Sequence, residues 1–170
     1  MNTASETFHY AIGTARLGTL IVATSTAGVA AILMADDADR ALRDLRAAFP
    51  GSVLIADAEK AGSALAAAIA LVDAPQGAFP LPLDLRGNGQ ELAVWQALRA
   101  IPPGETRSYG ALAKTLDMQI TAQEVGAACA ANRIAVAVPC HRVVKADGGI
   151  SGYRWGVHRK RKLINMEAVA

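Results

Sequence analysis

The sequence contains few of the residues that build disulfide frameworks, metal clusters or aromatic surfaces. Of its 170 residues two are cysteine and three are histidine, and aromatic residues make up 5%. This composition excludes a disulfide-stabilised scaffold, and the spacing of these residues matches no zinc site. No apolar run approaches the roughly 20 residues of a membrane-spanning helix, and residues 1–6 show no export signal. We therefore predict a cytoplasmic protein without a bound metal.

Charge is distributed unevenly along the chain, although the formal net charge is only +2. Residues 1–85 hold five basic and nine acidic side chains, whereas residues 86–170 hold twelve basic and six acidic ones. A basic half is typical of proteins that contact nucleic-acid phosphates. A solvated charged surface gives the same pattern, so the charge alone does not decide between the two.

The first half has the pattern of a small α/β domain. Strands are predicted at residues 8–12, 17–23, 29–34 and 53–55, and helices at residues 59–72 and from an Asp36-Asp37 cap to Phe49. We expect the first three strands to pair as an antiparallel meander. The half contains no set of side chains suited to catalysis, and we interpret His9 as structural.

The composition changes at residues 86–89, which predicts a boundary between a domain of residues 1–85 and one of residues 86–170. Helices are predicted at residues 90–100, 109–116, 122–131 and 158–168, with Trp95 in the core. Ser108 and Thr121 can cap the second and third of these helices. Two short helices joined by a tight break predict a helix-turn-helix, although a closely packed internal pair has the same pattern.

The segment Pro139-Cys140-His141-Arg142-Val143-Val144 is the strongest candidate for a reactive site. The apolar, β-branched residues 134–138 before it predict a buried strand, which Pro139 ends because it cannot donate to a sheet. A thiol beside an imidazole and a guanidinium is a candidate nucleophile, since nearby cations favour the thiolate. A small buried cysteine fits these six residues equally well.

Two further features follow this segment. A glycine-rich loop at residues 145–156 carries Tyr153, Arg154 and Trp155, which can wall a pocket for a planar ring. The last helix begins with basic residues and has Glu167 near its end, and a carboxylate there can orient the imidazole of His141.

Together these motifs resemble the O6-alkylguanine-DNA alkyltransferases, or methylated-DNA–protein-cysteine methyltransferases. The cysteine segment matches the family's active-site signature, and the match continues through residues 151–157, with Asn132 eight residues before the cysteine and Glu167 near the C-terminus. The loop most resembles the C-terminal part of bacterial Ada-type proteins.

The resemblance implies an α/β (α+β) fold in two parts. The specific motifs cover residues 86–168, where the family has a mostly helical DNA-binding domain with a helix-turn-helix. Residues 1–85 resemble the family's ribonuclease-H-like α/β domain more loosely.

The resemblance also implies a DNA repair protein that reacts once. It would bind double-stranded DNA in the minor groove, flip an O6-alkylguanine from the stack and accept the alkyl group irreversibly on Cys140. O4-alkylthymine is a further candidate substrate, and we expect a monomer that needs no cofactor and no membrane. His141 would activate the thiol through a water molecule, Glu167 would orient His141, and Asn132 would organise the turn that carries the cysteine.

The remaining implied roles concern the base and the DNA. Tyr109 would donate to guanine N3 and help to rotate the 3′ phosphate, and Tyr153 would shape the pocket. The carbonyls of Cys140 and Val143 and the amide of Arg154 would bind the base, while Trp155 with Arg154 would narrow the pocket against bulky alkyl groups. The residues expected to contact DNA are Ser108, Tyr109, Gln123, Gly126, Ala127, Ala130 and Arg142.

The sequence departs from the family pattern in three ways. Gln123 stands where the family usually has an arginine that fills the space left by the flipped base. Because glutamine has no charge and less stacking surface, we expect an active but slower protein. Asp117-Met118 stands where a turn glycine is usual, and the zinc-binding regulatory domain of Ada-type proteins is not within this sequence, so transcriptional activation is not implied.

Three alternatives belong to other classes. The first is an alkyltransferase-like protein that binds lesions without repairing them, although such relatives lack the reactive cysteine. The second is a helix-turn-helix transcription factor, which the small side chains of residues 125–131 disfavour because few of them can read base edges. The third is a cysteine hydrolase, which needs an oxyanion hole and a second, water-driven step.

Overall fold

The computed structural model describes residues 5–168, which form two compact units. The first unit covers the chain up to Asp73 together with Phe79–Asp84, and the second covers Ala74–Ala78 and the chain from Leu85 onward. That residues 1–85 and 86–170 are separate domains stays a prediction. The first unit contains β1 (Thr7–Ala15), β2 (Gly18–Thr24), β3 (Val29–Ala35), α1 (Ala38–Ala48), β4 (Val53–Ala56) and α2 (Ala58–Asp73).

The first unit is a four-stranded sheet in the order β3-β2-β1-β4. Strands β1, β2 and β3 pair antiparallel as predicted, and β3 is buried along its whole length. Strand β4 adds to β1 in parallel, a pairing that the strand pattern did not predict. It arises because α1 carries the chain across the sheet, so β4 enters in the direction of β1.

The first hairpin turns later than predicted. Strand β1 continues through Gly13 to Ala15, and the turn falls at Arg16-Leu17. Gly13 serves packing instead, because a Cβ there would lie only 3.0 Å from Ile69 on α2. The glycine therefore lets α2 lie close to the sheet.

The second unit is mostly helical. It contains α3 (Gly89–Arg99), β5 (Arg107–Ser108), α4 (Tyr109–Thr115), α5 (Ala122–Ala130), a short 3₁₀ helix (Cys140–Arg142), β6 (Val143–Val144) and α6 (Val157–Ala168). Ser108 caps α4, and Thr121 forms a capping box with Glu124 on α5, both as predicted. Helix α5 packs against α4 and α3, where the buried Trp95 donates from Nε1 to the carbonyl oxygen of Ala128 at 2.9 Å. That this helix pair binds DNA as a helix-turn-helix stays a prediction.

The predicted strand at residues 134–138 is wrong. The amide of Ala137 donates to the carbonyl of Ala135 at 2.7 Å, which closes a γ-turn around Val136. Val136 has a φ of 68°, a strained value for a β-branched residue. These apolar residues are mostly buried, and burial without extension explains why an apolar, β-branched run read as a strand.

Within residues 5–168 no helix is long and apolar enough to cross a membrane. Across the same residues no three His, Cys, Asp or Glu side chains are grouped so that they could hold a metal ion. The cytoplasmic location stays a prediction.

Candidate active site

Cys140 lies at the start of the 3₁₀ helix, directly after two tight turns. Its amide donates to the carbonyl of Val138 at 2.8 Å, which closes a second γ-turn around Pro139. The amide of Arg142 donates to the carbonyl of Pro139 at 3.0 Å, and Val143 then pairs with Arg107 in a short parallel ladder. The thiol is therefore carried by backbone that is hydrogen-bonded on both sides.

The side chain of Asn132 ties this turn to the thiol. Its Nδ2 donates to the carbonyl of Val138 at 2.9 Å and to Sγ of Cys140 at 3.3 Å, while its Oδ1 accepts from the amide of Ile134 at 2.9 Å. Asn132 is buried, and Arg154 Nη1 donates to its carbonyl at 2.8 Å. Asn132 thus contacts both ends of the turn and the sulfur itself.

His141, Glu167 and Arg142 form a buried network beside the thiol. Nε2 of His141 lies 2.7 Å from Oε1 of Glu167. Arg142 donates to the same carboxylate from Nη2 at 2.8 Å and from Nε at 3.1 Å to each oxygen. The structure therefore brings together the imidazole of His141 and the side-chain carboxylate of Glu167, the two groups that the sequence pattern paired.

This network fixes the tautomer of His141. Burial alone would raise the pKa of Glu167, but hydrogen bonds from His141 and Arg142 outweigh it and hold that pKa below its ordinary value. Burial lowers the pKa of His141, so its imidazole is neutral at pH 7. Because an ionised carboxylate only accepts, Nε2 carries the hydrogen and Nδ1 presents a lone pair. Nδ1 is buried and has no partner among the described residues.

The structure gives no support to the expected contact of Arg142 with DNA, which stays a prediction. Only 6% of the residue is exposed, and its guanidinium also donates to the carbonyls of Ile101 at 2.7 Å and Pro75 at 3.3 Å. These bonds and those to Glu167 occupy all three nitrogens of the side chain. Arg142 points inward because the buried carboxylate of Glu167 needs a cation.

A cavity of about 390 Å³ opens over the thiol. Its lining residues are Tyr109, Gly126, Cys129, Ala130, Cys140, Gly152, Tyr153 and Arg154. Burial raises the pKa of Tyr153 well above its ordinary value, so its hydroxyl stays a donor, and this hydroxyl has no hydrogen-bond partner within the described chain. The cavity thus combines an apolar wall with a buried donor, as small-molecule and base pockets do.

Trp155 and Val143 do not line this cavity, and the expectation that Trp155 and Arg154 narrow the pocket stays a prediction. Trp155 is buried behind the wall, with its ring edge-on to Tyr153 at 5.3 Å between centroids. The guanidinium of Arg154 lies 5.7 Å from the centre of the Trp155 ring. Val143 is fully buried in β6, and the role given to its carbonyl stays a prediction.

Burial raises the pKa of the Cys140 thiol, although the hydrogen bond from Asn132 and the charges of Lys160 and Arg154 oppose the rise. The resting thiol is therefore protonated and needs a base. The described structure shows no direct hydrogen bond between Cys140 and His141, so a proton would need a mediator to reach Nδ1.

The residues expected to contact DNA, apart from Arg142, are half-buried or exposed. Gln123, Ala127 and Ala130 are exposed on one face of α5, and Gly126 is half-buried beside them. Their spacing of three and four residues puts them on one stripe of the helix. Ser108 and Tyr109 are half-buried at the start of α4, where Ser108 Oγ accepts from the amide of Ala111 at 3.0 Å. Their contacts with DNA stay predictions.

Sequence reasoning missed three residues at this pocket. Cys129 is a second free thiol in the lining, and burial raises its pKa to about 12. Ser151 bonds to the hydroxyl of Tyr109, and Lys160 donates from Nζ to Ser151 Oγ at 2.9 Å. The position of Lys160 seven residues before Glu167 was a usable signal, because residues so spaced share a helix face.

Comparison with known proteins gives a consistent set of relatives. Residues 90–169 match the family model described as 6-O-methylguanine DNA methyltransferase, DNA binding domain. The chain is 42% identical over 159 residues to the bifunctional transcriptional activator/DNA repair enzyme Ada of Escherichia coli, which is 94% of this chain and 45% of that protein. It is 36% identical over 122 residues to the inducible methylated-DNA–protein-cysteine methyltransferase of Bacillus subtilis, which is 72% of this chain and 68% of that protein. This chain therefore spans less than half the length of the Escherichia coli relative.

Solved structures resemble nearly the whole chain. The crystal structure of Mycobacterium tuberculosis OGT in complex with DNA has a TM-score of 0.76 and 32% identity, and the match covers 95% of this chain and 93% of that one. An O6-methylguanine-DNA methyltransferase from Pyrococcus kodakaraensis has a TM-score of 0.69 at 23% identity, with 94% of this chain and 98% of that one covered. The predicted mixed α/β fold is thereby confirmed.

Proposed function

The chain belongs to the family of methylated-DNA–protein-cysteine methyltransferases, and we propose that it repairs O6-alkylguanine in double-stranded DNA by accepting the alkyl group on Cys140. One observation carries this proposal: the thiol of Cys140 lies in the floor of a cavity, held by Asn132 and next to a His141–Glu167–Arg142 network. The reaction takes place in the cytoplasm and uses each molecule once, because the thioether that forms is stable.

His141 acts as the base. Its Nδ1 lone pair takes the thiol proton through a water molecule, and Glu167 stabilises the imidazolium that forms. Arg142 limits this stabilisation, because it already neutralises the carboxylate. The thiolate then attacks the alkyl carbon in line with the bond between that carbon and O6, and this bond breaks. The thiol proton ends on the released guanine, so the exchange consumes no other reactant.

Helices α4 and α5 bind the duplex as a helix-turn-helix. The exposed stripe of α5 carries mainly small side chains, which can approach the DNA backbone closely but offer few groups to read base edges. This suits a repair protein that must accept any flanking sequence. The target base leaves the stack because O6 cannot be reached within it.

Stoichiometric methyl transfer tests the proposal. A labelled duplex with one O6-methylguanine is incubated in excess over the protein, and the label on tryptic peptides is measured by mass together with the demethylated product per protein molecule. Cleavage after Arg133 puts Cys129 and Cys140 on different peptides. We expect one methyl group per molecule on the Cys140 peptide and none in Cys140→Ala.

The same assay separates the alternatives. Binding to the lesion without a methylated peptide would overturn transfer in favour of a lesion-binding protein. More than one equivalent of product per molecule would indicate a hydrolase, and methyl on the Cys129 peptide would overturn the assignment of the nucleophile.

A further inference from the structure

Lys160 is a buried cation that the mechanism above does not use. It lies on the inward face of α6 with Leu163 and Glu167, and only 1% of the residue is exposed. A lysine is almost never buried without polar partners, so this position requires an explanation.

The contacts of Lys160 lead to the wall of the pocket. Its Nζ donates to Ser151 Oγ at 2.9 Å and to the carbonyl of Gly152 at 3.3 Å. Ser151 is hydrogen-bonded to the hydroxyl of Tyr109, whose ring centre lies 5.9 Å from Nζ. Tyr109 and Gly152 both line the cavity over Cys140.

The chemistry of these groups gives the chain of hydrogen bonds one direction. An ammonium only donates, so Ser151 accepts from Lys160. The hydroxyl of Ser151 still has its own hydrogen, which it can donate to the oxygen of Tyr109. In that arrangement the hydrogen of Tyr109 is left to point into the cavity, towards the base that the family resemblance places there.

The positive charge of Lys160 is also not balanced by a carboxylate among the described residues. The charged and titratable groups around Cys140 are Tyr109, Cys129, His141, Arg142, Tyr153, Arg154, Lys160 and Glu167. Glu167 is matched by Arg142, and His141 is neutral. Within residues 5–168 Lys160 contacts neutral oxygens and no carboxylate, so it adds a net positive charge behind the pocket wall.

We propose that Lys160 is a positioning residue for alkyl transfer. Through Ser151 it orients the hydroxyl of Tyr109 as a donor to the base, and its charge stabilises the two anions that form in the reaction. The first anion is the thiolate of Cys140. The second is guanine, which keeps the electron pair of the C–O6 bond when sulfur forms its bond to the alkyl carbon. A fixed cation close to both stabilises each without reorganisation. This inference rests on the proposed function.

Two lysines on one helix give a matched test. Lys160→Met removes the buried charge at similar length, and Lys162→Met makes the same change at an exposed position of α6. The rate of iodoacetamide reaction at Cys140 is measured by peptide mass from about pH 6 to about pH 12, a range that extends well above the ordinary pKa of a thiol. We expect the midpoint to rise by about one pH unit in Lys160→Met and methyl transfer at neutral pH to fall about tenfold. Lys162→Met should match the wild type, and Lys160→Arg should restore the midpoint.

An unchanged midpoint in folded Lys160→Met would overturn the proposal, because a purely structural lysine affects stability without moving a titration. Ser151→Ala keeps the charge and breaks the donor chain. We expect it to transfer methyl more slowly with the wild-type thiol midpoint, and wild-type transfer in this variant would also overturn the proposal. Ser151→Ala remains decisive if Lys160→Met does not fold. Should the wild type transfer no methyl at all, the proposed function fails, while the iodoacetamide titration still reports on Lys160.

Discussion

Gln123 is the second residue of α5 and is exposed on the stripe with Ala127 and Ala130. The family resemblance predicts that a side chain at this position enters the DNA stack when a base leaves it. An amide can hydrogen-bond to the orphaned cytosine, but it lacks the charge and the planar area with which a guanidinium stacks. We therefore expect this residue to limit the rate of base flipping.

We expect Gln123→Arg to speed the repair of methylated duplex DNA about threefold, equivalent to about 0.6 kcal/mol of barrier. Single-turnover rates with the duplex measure this. Gln119→Arg is the control, because it adds the same charge at an exposed position outside α5. Equal acceleration by both variants would show that charge alone, and not insertion, is responsible.

Arg142 acts on stability through Glu167. We expect Arg142→Met to lower the free energy of unfolding by about 3–5 kcal/mol, since it leaves a buried carboxylate without its cation. Urea denaturation measures the change, and Arg161→Met, at an exposed position, is the control. Adding Glu167→Gln to Arg142→Met should recover part of the loss. A variant of wild-type stability with weaker DNA binding would instead support Arg142 as a DNA contact.

At the scale of elements, α5 and α6 have different roles in the second unit. Helix α6 presents Lys160, Leu163 and Glu167 inward, so one helix face carries the groups behind the pocket. Helix α5 presents small residues outward and Val125, Ala128 and Cys129 inward. Both helices depend on packing against the rest of the unit, because helices of nine and twelve residues are too short to be stable alone.

The capping box of α5 offers a direct test. Thr121 Oγ1 accepts from the amide of Glu124 at 3.1 Å, and the Glu124 side chain accepts from the amide of Thr121 at 3.2 Å. We expect Thr121→Ala to lower the free energy of unfolding by about 1 kcal/mol in urea denaturation. Thr106→Ala, an exposed threonine outside the helix ends, should change it little. Equal losses in the two variants would mean that the cap does not stabilise the helix.

At the scale of the whole molecule, stability should depend on pH through the buried network. The pKa of His141 lies below its ordinary 6.5 in the folded state, and that of Glu167 lies below its ordinary 4.5. A lowered folded pKa means that the unfolded chain binds protons more readily, so stability is complete above the ordinary value and is lost as the pH falls. The protonation of either group therefore lowers the stability as the pH falls.

We therefore expect the unfolding free energy to be level between about pH 7 and about pH 8 and to fall from about pH 6.5 towards pH 4. In His141→Gln, which keeps a donor for Glu167, the fall should begin at lower pH. Urea denaturation at a series of pH values measures this, and a wild type that gains stability on acidification would contradict it.

Features that depend on residues close together in the sequence could be predicted. Asp37, Ser108 and Thr121 cap helices because their side chains reach the amides three residues ahead. Contacts between distant residues were not predictable in this way. The parallel partner of β4, the inward direction of Arg142 and the burial of Lys160 each depend on tertiary packing.

The candidate site shows the same limit. The pairing of His141 with Glu167 followed from a family signature, but the turns at residues 134–138 did not. An apolar run reports that side chains are buried and says little about whether the backbone is extended. Here one side chain, that of Asn132, stabilises a turn where the composition favoured a strand.

Asn132 also limits how the length of this segment can change. Its amide group bonds within the turn at Ile134 and Val138 and reaches the sulfur of Cys140, so the number of residues from Asn132 to Cys140 sets the place of the thiol. One inserted or deleted residue would shift the chain by about 3.5 Å, beyond the tolerance of a hydrogen bond. A change in the number of residues between Asn132 and Cys140 would therefore separate the nucleophile from its anchor.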